Sequence, residues 1–359
     1  INKKKKEALL KQLIEKFRKP KNKAVNLAPV SALALSACGD GGEKEAALTT
    51  ISGSVIKGEI TNALVFSDLN SNGVFDSSEP NTFTNENGQF NLSTTDNSAK
   101  IIAIGQTSSI DKSTGASADN ISFSSTSSGT VISPFSTVVT EGGISSQELA
   151  DSLGLSGVDL LNFNPFDSGV DAAQALLVEN ISHQLENIIV SFTEATKENG
   201  ITNEQSKKIA IDSFISTAKE KIALEQTIDL SKQSDISAIT SKILNSNSLL
   251  TSDAAALQTK LKTISEAVEN VNGEIKKVDS LSSDTSKGVY SLGQLLKQQV
   301  VDHVSKSKNM DLTDTNNVAL AAKNLAPSEI KITSATITEN NTDLIIGSFS
   351  AKDEDIASL

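Results

Sequence analysis

Residues 68–79, DLNSNGVFDSSE, hold the densest set of side chains in this chain that could do chemistry together. Asp68, Asn70 and Asn72 occupy alternate positions, Gly73 follows, then comes Asp76, and Glu79 closes the run. That is the calcium-loop pattern D-x-[DN]-x-[DN]-G-x5-E. A hard cation such as Ca2+ is held by oxygens alone. Asp68, Asn70 and Asn72 would offer side-chain oxygens and Val74 its carbonyl. Asp76 would bind directly or through water, and Glu79 would close the shell with two oxygens. Gly73 allows the sharp bend. The competing reading is an Asx-rich turn that binds nothing, because Asp, Asn and Gly favour turns in any case. The flanks, TNALVFS and PNTFTNENGQFNLS, read as strands and not helices. A cation there would stiffen a β connection, so the expected role is structural, with Ca2+ the one expected cofactor.

Catalytic groups are sparse. His183 and His303 are the only histidines, stand on separate predicted helices and lack a Cys or H-x-x-x-H partner; they read as exposed or helix-packing residues. Ser216 and Lys219 have S-x-x-K spacing without the companion motifs of that chemistry. No nucleophile elbow, P-loop or dinucleotide fingerprint occurs. The chain is expected not to be an enzyme.

At 359 residues there is room for two or three domains, each with its own core. The chain opens on Ile1 and stops inside its last pattern, so it is expected to be part of a longer protein. Aromatics make up 4 %, Trp is absent, Tyr290 is alone and Arg18 is the single arginine. Bidentate reading of bases and phosphates leans on arginine, so nucleic acid is not an expected partner. The net charge of −12 hides an asymmetry: residues 1–38 carry +8 and the remainder −20. An acidic body also disfavours anionic membrane surfaces and suits a medium rich in divalent cations.

The pattern behind these motifs divides into segments. Residues 1–38 combine a basic stretch, a short apolar run and a small-residue site, the order of a secretory signal peptide. Leu35-Ser36-Ala37-Cys38 resembles a bacterial lipobox, which implies acylation of Cys38, the lone cysteine. Leu9, Leu10, Leu13, Ile14 and Phe17 lie at helical spacing and offer an interfacial amphipathic helix as the alternative. No run reaches the roughly 18 apolar residues of a spanning helix. Residues 39–48 read as a flexible tether.

Residues 49–140 show short alternating runs split by Gly, Asn and Ser: TISGSVIKG, TNALVFSD, NTFTNENGQFNLS, AKIIAIGQT and DNISFSS. Asn87-Gly88 between Phe83 and Phe90 predicts a hairpin. Five to seven strands suggest a small β-sandwich. The run over residues 53–90, with its G-x-V-x-x-G-x-I-x-N-A-x-V-F-x-D core, resembles the transthyretin-like or carboxypeptidase-regulatory-like modules of bacterial surface proteins. It also resembles the calcium-binding B-type repeats of Gram-positive adhesins. That likeness implies a transthyretin- or Ig-like sandwich whose loop binds calcium and stiffens the module.

Residues 141–323 change period. Helices are predicted at SSQELADSLGL, at DAAQALLVENISHQLENIIVSFTEATKENG, at TNEQSKKIAIDSFISTAKEKIAL with a capping-box-like Thr202 and Gln205, and over 235–245, 253–278 and 288–307. Short polar connections suggest an all-α bundle. Its opening, VISPFSTVV to DLLNFNPF, resembles a helical segment that follows such β modules in large bacterial surface proteins, which implies a spacer. Residues 324–359, with AP, EN and IGSFSAKDED, resemble the opening of a cadherin-like repeat. By that match Glu339, Asp353 and Asp355 are calcium ligands of an incomplete site; a solvated acidic loop is the other reading.

The expectation is a multidomain α+β chain: a small β-sandwich, an all-α helical bundle and the start of a cadherin-like β-sandwich. The function expected is that of a non-enzymatic cell-surface or secreted adhesin-like scaffold at the bacterial outer membrane, lipid-anchored or extracellular. Its partners would be calcium, a membrane reached through a lipid anchor, and other cell-surface molecules. Two alternatives stand beside it. One is the N-terminal scaffold of a larger secreted enzyme. The other is a carbohydrate-binding module, against which the poverty of Trp and Tyr argues.

Overall fold

A computed structural model describes residues 48–119, 121–197, 201–246 and 254–326, and the backbone of a strand pair at 330–334 and 347–351. Among them the chain is a mixed α+β protein.

Strand β1 (Thr49–Val55) pairs antiparallel with β5 (Gln89–Thr94), which sets Ile51 opposite Leu92 and Gly53 opposite Phe90. It also pairs in parallel with β10 (Val131–Ile132). Strand β5 alternates exposed and buried along its whole length, as expected of a strand with one wet face. A second, antiparallel sheet has the order β4 (Asn81–Phe83), β3 (Leu64–Asp68), β6 (Lys100–Ile104), β9 (Ser122–Ser125). Ile51, Val55, Phe90 and Leu92 of the first sheet share one apolar core with Val65, Ile101, Ala103 and Phe123 of the second. A small third sheet joins β2 (Ile60–Thr61), β7 (Ile110–Asp111) and β8 (Ala116–Ser117). These three strands and β10 have two residues each, too few to show a periodicity in the sequence.

The Asn87-Gly88 expectation is corrected in part. The turn is present: Gly88 N donates to Asn85 O at 3.0 Å, and Asn85 N to Gln89 O at 2.8 Å. But β4 pairs with β3 while β5 pairs with β1, so the turn is a corner between sheets and not a hairpin. Phe83 stays 52 % exposed whereas Phe90 is buried, and Val55 N donates to Gly88 O, which seats the corner on β1.

The helices begin ahead of residue 140. Helix α1 (Pro134–Gly142) starts inside the span read as β and crosses its end at residue 140, opened by a Ser133–Ser136 capping box with Pro134 in its first turn. Pro fits there because its missing N–H would have no partner anyway. Phe135 and Val138 enter the helical core rather than the β core. Then come α2 (Ser146–Ser152), α3 (Ala172–Lys197), α4 (Asn203–Ala223), α5 (Gln233–Leu244), α6 (Ala254–Ile275), α7 (Asp284–Lys306), a 3-10 turn at Asp311–Thr313, and α8 (Thr315–Leu325). The Thr202–Gln205 capping box is present on α4, and Ser145 with Glu148 forms another on α2. Helix α8 was not singled out by its pattern: only Val318 and Ala322, one turn apart, are buried.

Helix α3 packs against α4, α6 and α7. Its Leu185, Ile188 and Phe192 meet Phe214, Ile264, Val268 and Leu296 in one core. A buried amide ladder fixes the register of α3 on α6. Gln184 Nε2 donates to Asn272 O, and Asn187 Nδ2 to Asn272 Oδ1, both at 3.0 Å. Asn272 Nδ2 donates in turn to Leu230 O at 2.8 Å. Polar groups this deep cost stability unless every one is bonded, so the ladder selects one helix register over slipped ones.

Gly288 on α7 sets the approach of α8: a Cβ there would stand 2.2 Å from Ala322 O and 2.7 Å from Ala326 N. Gly288→Ala should therefore destabilise the protein by about 1–3 kcal/mol, the cost of overpacking a tight contact. Chemical denaturation of the full chain checks this; Gly273→Ala on α6, where nothing lies within 4 Å, is the control and should be neutral or stabilising.

Beyond α8, strands β11 (Ile330–Ser334) and β12 (Gly347–Ala351) pair antiparallel with Ile332 opposite Phe349. No helix among the described residues is long and apolar enough to cross a membrane.

Candidate metal centre and a buried ionic cluster

The 68–79 loop is the β3–β4 connection. Strand β3 is buried along its whole length and ends on Asp68, which is 1 % exposed. The loop folds back over it, and Phe75 packs edge-on against Phe66 with ring centroids 5.4 Å apart. Thus an apolar contact anchors the loop while its polar side chains turn to one another.

Asp68 accepts Asn72 N on Oδ1 and Gly73 N on Oδ2, both at 3.1 Å. Glu79, 4 % exposed, accepts Leu69 N on Oε1 at 2.9 Å and Asp76 N on Oε2 at 3.0 Å, pinning both ends of the loop. Asn70 Oδ1 accepts Asn72 N, and Asn72 Oδ1 accepts Val74 N, which are two successive Asx turns. The amides of Asn70 and Asn72 both donate to Asp76 Oδ2, at 2.7 and 2.9 Å. Ser71 and Gly73 have positive φ, 59° and 74°, and Gly73 takes that bend without a Cβ penalty.

Five of the six residues read as ligands are thus joined in one hydrogen-bonded loop. Val74 is in the loop through its N–H, with its side chain exposed. The donor set fits a hard cation. Each Asp68 and Glu79 oxygen accepts one N–H and keeps further lone-pair capacity, and Asp76 gathers the two amide side chains at one point. A cation there would take the place of the amide N–H groups as the partner of Asp76. Among the described residues, no three His, Cys, Asp or Glu side chains form a metal-holding group on their own. The convergence therefore depends on the asparagines. Cys38, Glu339, Asp353 and Asp355 lie outside the described residues.

A second constellation went unseen in the sequence. Lys57, just after β1, is 6 % exposed. Its Nζ stands 2.8 Å from Glu186 Oε2 on α3 and 3.1 Å from Asp111 Oδ2 on β7. Burial lowers the lysine pKa, but Glu186 and Asp111 outweigh it and hold the ammonium charged above its ordinary value. Burial pushes the Asp111 carboxyl up, against the pull of Lys57 and His183. Asp111 Oδ1 accepts Ser113 N at 2.8 Å.

Beside it, Glu179 on α3 is fully buried. Its Oε1 accepts Gly58 N at 2.6 Å and the Ser113 hydroxyl at 2.7 Å, and lies 3.1 Å from His183 Nε2. A carboxylate only accepts, so that Nε2 carries the proton. Burial would raise the Glu179 pKa, yet the bonds from His183, Ser113 and Gly58 leave it below its ordinary value. His183 stacks on Tyr290 at 4.1 Å and 11°, and Tyr290 OH donates to Asn180 Oδ1 at 2.6 Å. Burial, then Glu179 and Asp111, raise the phenol pKa. The cluster ties the β strands to α3, with Lys57, Asp111, Glu179 and His183 buried and Glu186 at its partly exposed rim. His183 is the helix-packing residue of the two readings. His303 is half-buried on α7 and sets Nδ1 2.7 Å from Lys308 O. Lys219 Nζ reaches Gly143 O at 3.4 Å.

Compared with models of protein families, with curated proteins and with solved structures, the chain matches none.

Proposed function

We propose that this chain is a non-enzymatic scaffold of the bacterial cell surface or exterior, adhesin-like, whose β module is stiffened by calcium in the 68–79 loop. The observation that carries this is the convergence of Asp68, Asn70, Asn72, Asp76 and Glu79 in one turn bounded by strands β3 and β4. A cation bound between two strands of one sheet restrains the connection without moving a helix. That is the work of a spacer rather than of a sensor. On this reading the paired sheets are a transthyretin-like sandwich, the helices are a spacer, and the strand pair after α8 opens a cadherin-like repeat with Glu339, Asp353 and Asp355 as further ligands. Supporting it is the polar, acidic composition, with aromatics at 4 %.

Limited proteolysis of the full chain tests the loop. Its exposed residues, Leu69 to Val74, should be cut in chelator and protected in millimolar calcium, a concentration suited to extracellular modules with dissociation constants of about 10⁻⁴–10⁻³ M. Equal cutting in both conditions would show a loop that binds nothing. The anchoring part of the reading has its own test: Cys38→Ala should shift the protein from the membrane fraction to the soluble or unprocessed one. Identical fractionation of the two forms would remove the lipid anchor from the proposal.

A further inference from the structure

A cleft of about 240 Å³ opens where β9 and α1 face α3, α4 and α7. Its apolar lining includes Phe123, Val138, Ile189 and Val190, and its polar lining is dominated by lysines and glutamates. Most of these charges are already matched. Lys197 Nζ lies 2.6 Å from Glu194 Oε1, and Glu186 is held by Lys57. Two are not. Among the described residues Lys207 and Lys297 form no ion pair; Lys207 reaches only the carbonyl of Ser122, at the long distance of 3.5 Å, and Lys297 has no hydrogen-bond partner. Glu141, the carboxylate nearest in effect to Lys207, is bonded to Lys100 and to the Ser124 hydroxyl.

Half-buried cations without a counter-ion are costly, because desolvation is not offset by a partner. Burial accordingly lowers the pKa of both lysines, for Lys207 chiefly and for Lys297 likewise, against the opposite pull of nearby glutamates. In a chain of net charge −12, a concave, partly apolar place lined by three lysines against two glutamates, with two of the ammonium groups unpaired, is the exception. An anion that enters would recover the missing partner, and an apolar body would cover the Phe123, Val138 and Val190 surface.

We propose that this cleft is a binding site for a small amphipathic carboxylate, its acid group between Lys207 and Lys297 and its hydrocarbon part on the apolar wall. The volume lies below the roughly 300–1,000 Å³ of pockets for drug-sized ligands, which limits the body to a short chain or a single ring.

Octanoate is a suitable probe, with octanol as the uncharged control and inorganic phosphate as the anion without an apolar body. Titration calorimetry on the full chain should show octanoate binding more tightly than either control. Lys207→Met and Lys297→Met keep the packing stem and remove the charge. Each should weaken octanoate by roughly tenfold or more, as expected on losing a hydrogen bond to a charged group, and leave octanol unchanged. Val190→Phe, which fills the wall, should weaken octanoate and octanol alike. Circular dichroism confirms that each variant is folded, and the fill variant keeps the test valid if a lysine variant is not. Octanoate that fails to bind the wild type, or that binds the folded variants as well as the wild type, overturns the proposal. So does phosphate binding as tightly as octanoate.

Discussion

Lys57→Met should destabilise the protein by about 3–5 kcal/mol, the cost of removing one partner from a buried ion pair. The substitution keeps most of the side-chain volume, so the loss reports the charge and not a cavity. It leaves Asp111, fully buried, and Glu186 facing each other across the seam between β7 and α3 without their cation. Two carboxylates so placed repel, and the one already raised by burial, Asp111, takes up a proton first. The sign of the pH effect follows. A carboxyl whose folded pKa lies above its unfolded value adds stability below the unfolded pKa and loses it as pH rises through the folded pKa. The gap between variant and wild type should therefore narrow as the pH is lowered from neutrality towards the carboxylate range. Glu179 works in the other sense, since its folded pKa is depressed: its contribution is present above the unfolded value near 4.5 and fades as pH falls further. Denaturant melts followed by the fluorescence of Tyr290, the single tyrosine in a chain without Trp, read the helical side directly. A variant as stable as the wild type at neutral pH would show that the cluster is not what joins the strands to α3.

Saturating calcium should raise the stability of the full chain by about 2.7 kcal/mol when free calcium is a hundredfold above the dissociation constant. Without the ion, Asp68, Asp76 and Glu79 bring three carboxylates into one turn, partly offset by the N–H groups they accept. Glu79→Gln should abolish most of the calcium response, since it removes the two-oxygen carboxylate that closes the shell. It carries a second effect. Glu79 accepts Leu69 N and Asp76 N with its two oxygens, and a Gln side chain has only one acceptor. Even in chelator the variant should lose about 0.5–1.5 kcal/mol, the net worth of one hydrogen bond whose part-buried donor water can reach. The diagnostic quantity is thus the difference between melts in calcium and in chelator, taken separately for each protein. A wild type that melts at one temperature in both conditions would reduce the loop to a turn.

What could be read from the sequence was local in physical origin. The loop residues lie within twelve positions, and their bonds run between neighbours two to ten apart, so residue types alone specify the gathering. The capping boxes at Ser145 and Thr202 span three residues and mark helix starts for the same reason. Long apolar periodicities placed α3, α4 and α6, while α8, with only Val318 and Ala322 buried, left too faint a stripe. Ser133-Pro134 opens α1 inside VISPFSTVV, the run likened to a helical segment, although the β span was drawn on to residue 140.

The rest was decided only by packing. The Asn85–Gly88 turn is the same local object in a hairpin or a corner; which it became depended on Phe90 being drawn under β1 while Phe83 stayed on the wet edge. Glu179 meets Gly58 across 121 positions, and Tyr290 meets Asn180 across 110. A lysine after a strand and a glutamate on a helix read in sequence as solvated charges, because their burial is fixed by the sheet and the helix that close over them. Charge becomes costly only when water is removed, and water is removed by tertiary structure. The same reason hid the unpaired Lys207 and Lys297: composition shows that lysines are present, but only the fold shows which of them were left in a cleft without a partner.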